Sequence, residues 1–298
     1  MAGSAVLERR FHRWCLAPTL AVLAVVTLLP TLYLLATSLT PLNLTQPQTA
    51  WDFSQPARNY HLLLADARLR GSLWVQLQLS LWTVGLQMLL GFGFALLLNL
   101  RSRFLEALRT VFLIPMVLPP IVVAIIWKVL YTPDISPAHW ALAALGWPMP
   151  ALITHPAYAL PAIIVADVWE WFPFTMLMIL AGLQMLPQEL VDAARIDGAG
   201  ELGIFWRVIL PAVKPAIATL VIVKFMWTWN ELFWPLVVVN SPTMKVVTLG
   251  LVSFTNMYFI EYNLVTAAAV VSVLPILAVF LAGQKWIVRG VVMSGLKG

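Results

Sequence analysis

Cysteine and charge are scarce in this sequence. One cysteine, Cys15, occurs in 298 residues, which excludes an intramolecular disulfide framework and any cysteine-based metal cluster. It adjoins the first apolar run and reads as a small membrane-facing hydrophobe. The four histidines, His12, His61, His139 and His155, are too widely spaced to form a ligand pattern. Charged residues amount to 10%, against about 25% in a typical soluble domain. So few charges cannot easily clothe a water-facing surface. Also missing are the GxGxxG dinucleotide loop, the Walker phosphate loop and the HExxH zinc motif. The sequence therefore shows no site for ATP, a dinucleotide or a catalytic zinc. It leaves no room for a soluble enzyme domain, so an energy source has to lie on another subunit.

What is abundant is apolar. Hydrophobic residues reach 61% and the mean hydropathy is +0.88. Glycine (15) and proline (21) are frequent, which a membrane bundle tolerates. A spanning helix needs about 20 mostly apolar residues. Six such runs are present: Trp14–Leu39, Leu73–Leu98, Val111–Leu130, Tyr158–Leu180, Ile217–Val239 and Leu264–Ala282. The first follows Arg9, Arg10 and Arg13 like a signal peptide. It is longer than a signal core of about 7–15 residues and lacks a small-x-small cleavage site, so it is expected to stay as a membrane helix. The expectation is an all-α polytopic protein with one transmembrane domain over 1–298.

Basic residues orient the runs. With the N-terminus inside, the inner segments carry Arg9, Arg10, Arg13, Arg101, Arg103, Arg109, Arg195, Arg207, Lys214, Lys285, Arg289 and Lys297. The outer side carries Arg58, Arg68, Arg70 and Lys245. Twelve against four places both termini in the cytoplasm. The net charge of +5 is dispersed among short loops, which argues against nucleic-acid binding. Thr40–Ser72 becomes the longest external loop, with Trp51–Phe53 and the run PARNYHLLL suited to a short interfacial helix or a lid. The Asn43-Leu44-Thr45 sequon would carry no meaning in a bacterium. Pro133, Pro137, Pro148, Pro150 and Pro156 argue against a further span within Tyr131–Ala157.

Leu183–Ile217 is polar where its flanks are oily. Pro187 can open a helix, with Glu189 and Asp192 in or near its first turn, where negative charge is favourable. Leu190, Ala193 and Ala194 form an apolar stripe. Gly198 and Gly200 then permit a turn, and Ile204–Leu210 is expected as a second short helix stopped by Pro211. Taken by itself, the segment is also compatible with an ordinary linker between two membrane helices.

The run DAARIDGAG followed by VILP resembles the cytoplasmic signature loop of binding-protein-dependent ABC importer permeases. That loop reads Glu-Ala-Ala, three residues, Gly, nine residues, Ile, one residue, Leu-Pro. Here Asp192-Ala193-Ala194 stands at its opening, Gly198 at its glycine, Val208 at its isoleucine and Leu210-Pro211 at its close. Asp for Glu shortens the arm and keeps the charge, and Val for Ile keeps an apolar knob. FLIPMVLPPIVVAIIWKVLY, VWEWFPFTMLMILAGLQMLPQEL, WTWNELFWPLVVVNSP and the terminal RGVVMSGLKG resemble carbohydrate-type members, including the maltose, trehalose and glycerol-phosphate permeases. The resemblance implies a type I permease fold and a subunit that is not itself an enzyme. It implies a second homologous permease, two ATPase subunits holding ATP and Mg, and a periplasmic or lipid-anchored solute-binding protein. This chain would bind no cofactor of its own and would sit multi-pass in the bacterial inner membrane. By the same resemblance, Glu189, Asp192, Ala193, Ala194, Asp197, Gly198, Leu210 and Pro211 form the coupling segment to the ATPase.

Ionisable residues inside spans are costly and tend to face a polar path or a partner. Asp167 and Glu170 lie in the fourth run, and Lys224, Asn230 and Glu231 in the fifth. Trp169 and Trp171 flank Glu170. Carboxylates and amides hydrogen-bond sugar hydroxyls, and aromatic faces pack the apolar faces of sugar rings. Asp167, Glu170, Trp171, Asn230 and Glu231 are therefore the candidate substrate-path residues. A plainer reading has Trp at the membrane interface, Glu170 paired with a basic residue of another helix, and Glu231 capping an irregular segment before Pro235. Lys128 can snorkel to the outer interface. Pro115, Pro119 and Pro120 should distort the third run.

Competing classes are a secondary transporter, an intramembrane enzyme and a membrane scaffold. A secondary transporter usually carries internal repeats, and no repeat of the signature segment occurs in the first half. An intramembrane enzyme needs a paired catalytic constellation, which the Ser and His positions do not offer. A scaffold leaves the signature loop unexplained. The substrate expectation is a disaccharide, oligosaccharide or sugar-like polyol, with glycerol phosphate or another small solute as the alternative.

Overall fold

The computed structural model describes residues 2–100, 102–238, 246–252 and 261–295, all helices and connecting turns. Arg101, Lys245, Lys297 and the last residue of the fifth apolar run, Val239, lie outside the described residues. The chain divides into two compact units, Met1–Ala67 with Leu251–Val273, and Arg68–Gly250 with Leu274–Gly298.

The first unit contains α1 (Ala2–Ser38), a 3-10 turn at Pro47–Trp51 and α2 (Arg58–Ala65). In α1, the hydroxyls of Thr27 and Thr31 donate to the carbonyls of Leu23 and Thr27, each at 2.7 Å. Such back-bonding hides the polar group where lipid offers no partner. Within residues 40–72, where the sequence left a short helix or a lid open, Arg58–Ala65 is helical. Buried Asn59 of α2 donates to the Ser38 and Thr40 carbonyls at 2.9 and 2.8 Å and accepts from Asn263 at 3.0 Å.

The second unit is built on α3 (Ala67–Leu98, of which Ala67 belongs to the first unit), α4 (Arg103–Val117), α5 (Pro120–Tyr131) and α6 (Pro137–Ala144). These are followed by α7 (Pro156–Gln184), α8 (Gln188–Ile196) and α9 (Glu201–Ile204). A π-helical turn, Phe205–Ile209, leads into α10 (Leu210–Trp229) and α11 (Phe233–Val238). The short α12 (Val247–Val252) and the long α13 (Tyr262–Gly295) complete the chain, with residues 251–252 and 262–273 belonging to the first unit. Proline and a polar cap open two helices, α6 and α7. Ser136 accepts from the His139 N–H at 3.2 Å ahead of Pro137, and His155 accepts from Ala157 at 3.2 Å ahead of Pro156.

Among the described residues, five helices are long and apolar enough to cross a membrane. The third expected run is not one straight helix. It breaks at Leu118–Pro119, and α4 and α5 meet at 95°. The cause is local: a residue before proline is driven to extended backbone, and Leu118 has ψ 141°. Only as a bent pair do α4 and α5 make a sixth span. The fifth run is also interrupted, at Asn230–Leu232.

A second correction concerns Pro211. It does not stop a short helix over Ile204–Leu210. The π turn feeds into α10, and the Leu210 N–H bonds the Phe205 carbonyl five residues back. The wider turn supplies one extra residue where the proline ring would otherwise strike the carbonyl four residues earlier.

Close helix approach defines the core of this unit. A Cβ on Gly91 of α3 would stand 2.7 Å from Thr175 Cγ2 and 2.9 Å from the Met176 backbone nitrogen on α7. Next to this crossing, Phe94, Phe112 and Phe172 form a triangle with ring centres 4.9–5.8 Å apart.

Candidate functional site

The first candidate site is the segment from Pro187 to Ala212. Pro187 caps α8, and Glu189 is its only first-turn acid. Asp192 stands in the middle of the helix, away from the first-turn amides. Its carboxylate instead meets Arg195 at 3.5 Å, and Arg195 reaches Glu201 of α9 at 3.1 Å. The Arg195–Glu201 pair links α8 to α9, and both exposed pairs add little stability. Asp197 closes α8, its N–H bonding the Ala193 and Arg195 carbonyls. Gly198 follows with φ +81°, a left-handed conformation that a Cβ disfavours. Its N–H and that of Ala199 bond Arg195 and Ala194 at 3.0 Å each, so the glycine ends the helix by reversing the chain.

No residue of α8 is buried. Leu190 is 50%, Ile196 86% and Leu202 77% exposed. Together with exposed Ala193 they leave an apolar surface on a polar segment. Leu210 and Pro211 begin α10.

The second site lies inside the helices. A cavity of about 390 Å³ is lined by Asp167 and Trp171 of α7, Lys224 and Trp227 of α10, and Asn230 and Glu231 after it. Asp167 and Trp171 are four residues apart, hence on one helix face. The Lys224 side chain is 1% exposed. Its ammonium stands 4.9, 5.3 and 5.9 Å from the ring centres of Trp171, Trp227 and Phe174. Cation–π attraction is strongest when desolvated in this way. Asp167 is held from α3: the Gln87 side-chain amide donates to its Oδ2 at 3.0 Å and to its carbonyl at 3.2 Å. Gln76 donates to the Thr228 carbonyl at 2.9 Å and to Ser80 at 3.3 Å.

Asn230 ends α10 and donates to the Met226 carbonyl at 2.8 Å. Glu231 Oε1 accepts from the Trp234 N–H at 3.3 Å, capping α11, and Thr248 donates to its carbonyl at 3.1 Å. Glu231 therefore both caps the irregular segment and faces the cavity. Glu170 is different. It is buried, it is not part of the cavity wall, and its Oε1 has no hydrogen-bond partner among the described residues. Four of the five sequence candidates, Asp167, Trp171, Asn230 and Glu231, thus meet around one space.

Sequence reasoning singled out Lys224 only as an intramembrane charge and passed over Trp227, Gln76 and Gln87. A signal for the glutamines was present. Ser72, Gln76, Ser80, Thr83 and Gln87 recur every three or four residues in an otherwise apolar run, and all five are buried. That spacing is a polar stripe on one helix face. Among the described residues, no group of three or more His, Cys, Asp or Glu is placed to hold a metal.

Residues 87–293 match the family model described as binding-protein-dependent transport system inner membrane component. The chain is similar to the probable ABC transporter permease protein y4oQ of Sinorhizobium fredii, 34% identical over 271 residues, 89% of this chain and 86% of that protein. It is also 37% identical over 167 residues to the trehalose/maltose transport system permease protein MalF of Thermococcus litoralis, covering 56% of this chain and 57% of that one. In fold it resembles a chain from a bacterial alginate ABC transporter crystallised with a pentasaccharide-bound periplasmic protein. That match has a TM-score of 0.77 and 17% identity, and covers 95% of each chain.

Proposed function

Since this chain belongs to the family of binding-protein-dependent transport system inner membrane components, we propose that it is the permease subunit through which a sugar or sugar-like polyol crosses the inner membrane. The chain is a multi-pass membrane protein and the transport subunit of an ABC importer, not its ATPase.

The cavity is the observation that carries the solute. At about 390 Å³ it lies within the usual range for small-molecule sites, about 300–1,000 Å³. Its wall offers two indole rings, Trp171 and Trp227, together with Asp167, Asn230 and Glu231. Ring faces suit the C–H faces of a sugar, and carboxylates and amides suit its hydroxyls. Two carboxylates against the single Lys224 on the wall disfavour an anionic solute such as glycerol phosphate. The relative named for trehalose and maltose transport supports the same class.

In this reading a second homologous permease completes the path. A periplasmic or lipid-anchored binding protein delivers solute from outside, and both termini face the cytoplasm. Two ATPase subunits, carrying ATP and Mg, receive α8. The exposed Leu190, Ala193 and Ile196 would enter the ATPase cleft while Gly198 sets the direction of exit. ATP-driven closure of the ATPases would then move α8 and, through α9 and the π turn, α10 with its cavity wall.

The test is uptake by the complex reconstituted in liposomes with both permeases, the ATPases and the binding protein. Disaccharides, oligosaccharides, a polyol and glycerol phosphate form the panel. A neutral saccharide should be the best substrate, and Asn230→Ala and Trp171→Ala should lower its uptake while ATPase subunits still co-purify. Preference for glycerol phosphate, or full uptake by both variants, would overturn the sugar path.

A further inference from the structure

A larger space lies away from the cavity just described. It measures about 710 Å³ and is formed where the end of α3 turns into α4, against the end of α7 and the start of α8. Arg103, Glu106 and Arg109 line it from α4, with Gln184 and Gln188 opposite. Each of the α4 residues is three from the next, so Glu106 is a neighbour of both Arg103 and Arg109 on the helix surface. Neither arginine has an ion pair or hydrogen bond with another described residue. Ser102, also on the wall, leaves the first-turn N–H groups of α4 without a side-chain cap. Two guanidinium forks without a partner among the described residues, beside uncapped amides, form a chemistry for a phosphate group.

The surroundings say where that phosphate comes from. Leu100 is 62% and Phe104 71% exposed, and Val111, Ile114 and Val117 continue an exposed apolar belt along α4. The charged face of α4 is confined to its first turns, Arg103 to Arg109. The space therefore lies at the depth where a bilayer changes from acyl chains to headgroups. Leu98, Leu105 and Leu186 in its wall suit the glycerol and first methylenes of a lipid better than a hydrated ion. Basic pockets between membrane helices are recognised binding places for anionic headgroups.

We infer that this space holds the phosphodiester headgroup of an anionic phospholipid, gripped by Arg103 and Arg109. The same wall includes Leu183, Gln184, Leu186 and Gln188, the chain that leads into α8. A seated lipid would brace the root of that helix. This does not depend on which solute is carried.

Native mass spectrometry of the full chain, purified in mild detergent and supplied with phosphatidylglycerol or phosphatidylcholine, tests the inference. Retention of phosphatidylglycerol should exceed that of phosphatidylcholine. A basic residue near an anionic lipid contributes roughly fivefold in affinity. Arg103→Gln and Arg109→Gln should each cost about fivefold, and the double variant about 25-fold. Phosphatidylcholine retention should not change, and Arg103→Lys should keep part of the selectivity. If the double variant aggregates, the single variants and Arg103→Lys still decide the matter. Equal retention of both lipids, or selectivity unchanged in the single variants, overturns the site. Displacement of phosphatidylglycerol by millimolar inorganic phosphate would assign it to a free anion instead. Loss of bound lipid on adding the ATPase would assign the space to that partner.

Discussion

The Lys224 ammonium lies 4.9 Å from the centre of the Trp171 ring, which joins α10 to α7 across the wall of the inner cavity. A desolvated cation–π contact is worth about 2 kcal/mol. Trp171→Leu keeps apolar bulk but removes the ring face, and should lower the melting temperature and reduce uptake together. Trp171→Phe should fall between Leu and the parent, because a phenyl face attracts a cation less than an indole. Thermal melting and liposome uptake provide the check. A Leu variant that melts and transports like the parent would remove the contact from the account.

Gly91 predicts a steric effect with its own internal control. A Cβ there meets Thr175 and the Met176 backbone, whereas Gly85 and Gly93 on the same helix have nothing within 4 Å. Gly91→Ala should destabilise by about 1–3 kcal/mol, as overpacking usually does. Gly93→Ala should be close to neutral. Adding Thr175→Ser to Gly91→Ala should rescue only in part, since the backbone nitrogen cannot be trimmed away. Thermal unfolding of the four proteins gives the comparison, and full rescue would show that the side chain alone sets the helix spacing.

At Gly198 the space is open, with nothing within 4 Å of an added Cβ, but φ is +81°. Any cost of substitution is therefore backbone strain, about 1–2 kcal/mol for an ordinary residue. Asn tolerates this region better than Ala, and Val is the worst of the three. Co-purification of ATPase and coupled uptake should fall in the order Gly, Asn, Ala, Val at matched membrane expression. Equal coupling by the Val variant would mean that the chain reversal after α8 is dispensable.

The charge bias of the loops predicts topology. Reporter fusions at Ser54 and Pro137 should read outside, and fusions at Gly200 and the C-terminus inside. An inside reading at Pro137 would mean that the bent α4–α5 pair re-enters on its own side rather than crossing.

Much of this protein is legible without coordinates. The long apolar runs anticipate α1, α3, α7, α10 and α13, because about 20 apolar residues suffice for one helix to satisfy its own backbone in lipid. Pro187 marks the start of α8, and the glycine at 198 marks its reversal. The prolines at 115, 119 and 120 announce a distortion. These are effects of one turn of chain, governed by local sterics and hydrogen bonding.

Other features needed the folded chain. Proline content signals a bend but not the 95° between α4 and α5, which depends on what each half packs against. Pro211 reads as a stop until a π turn upstream makes room for it. The inner cavity is the clearest case. Asp167, Trp171, Lys224, Asn230 and Glu231 were each visible as costly or bulky residues in an apolar setting, yet which of them share a space was not. Glu170, three residues from Asp167, is absent from the cavity wall, while Gln87 of a distant helix holds Asp167 in place. Composition and periodicity determine that helices form and which faces are polar. Only close packing, such as Gly91 against Thr175, fixes how the helices cross, and the crossings decide which polar faces meet.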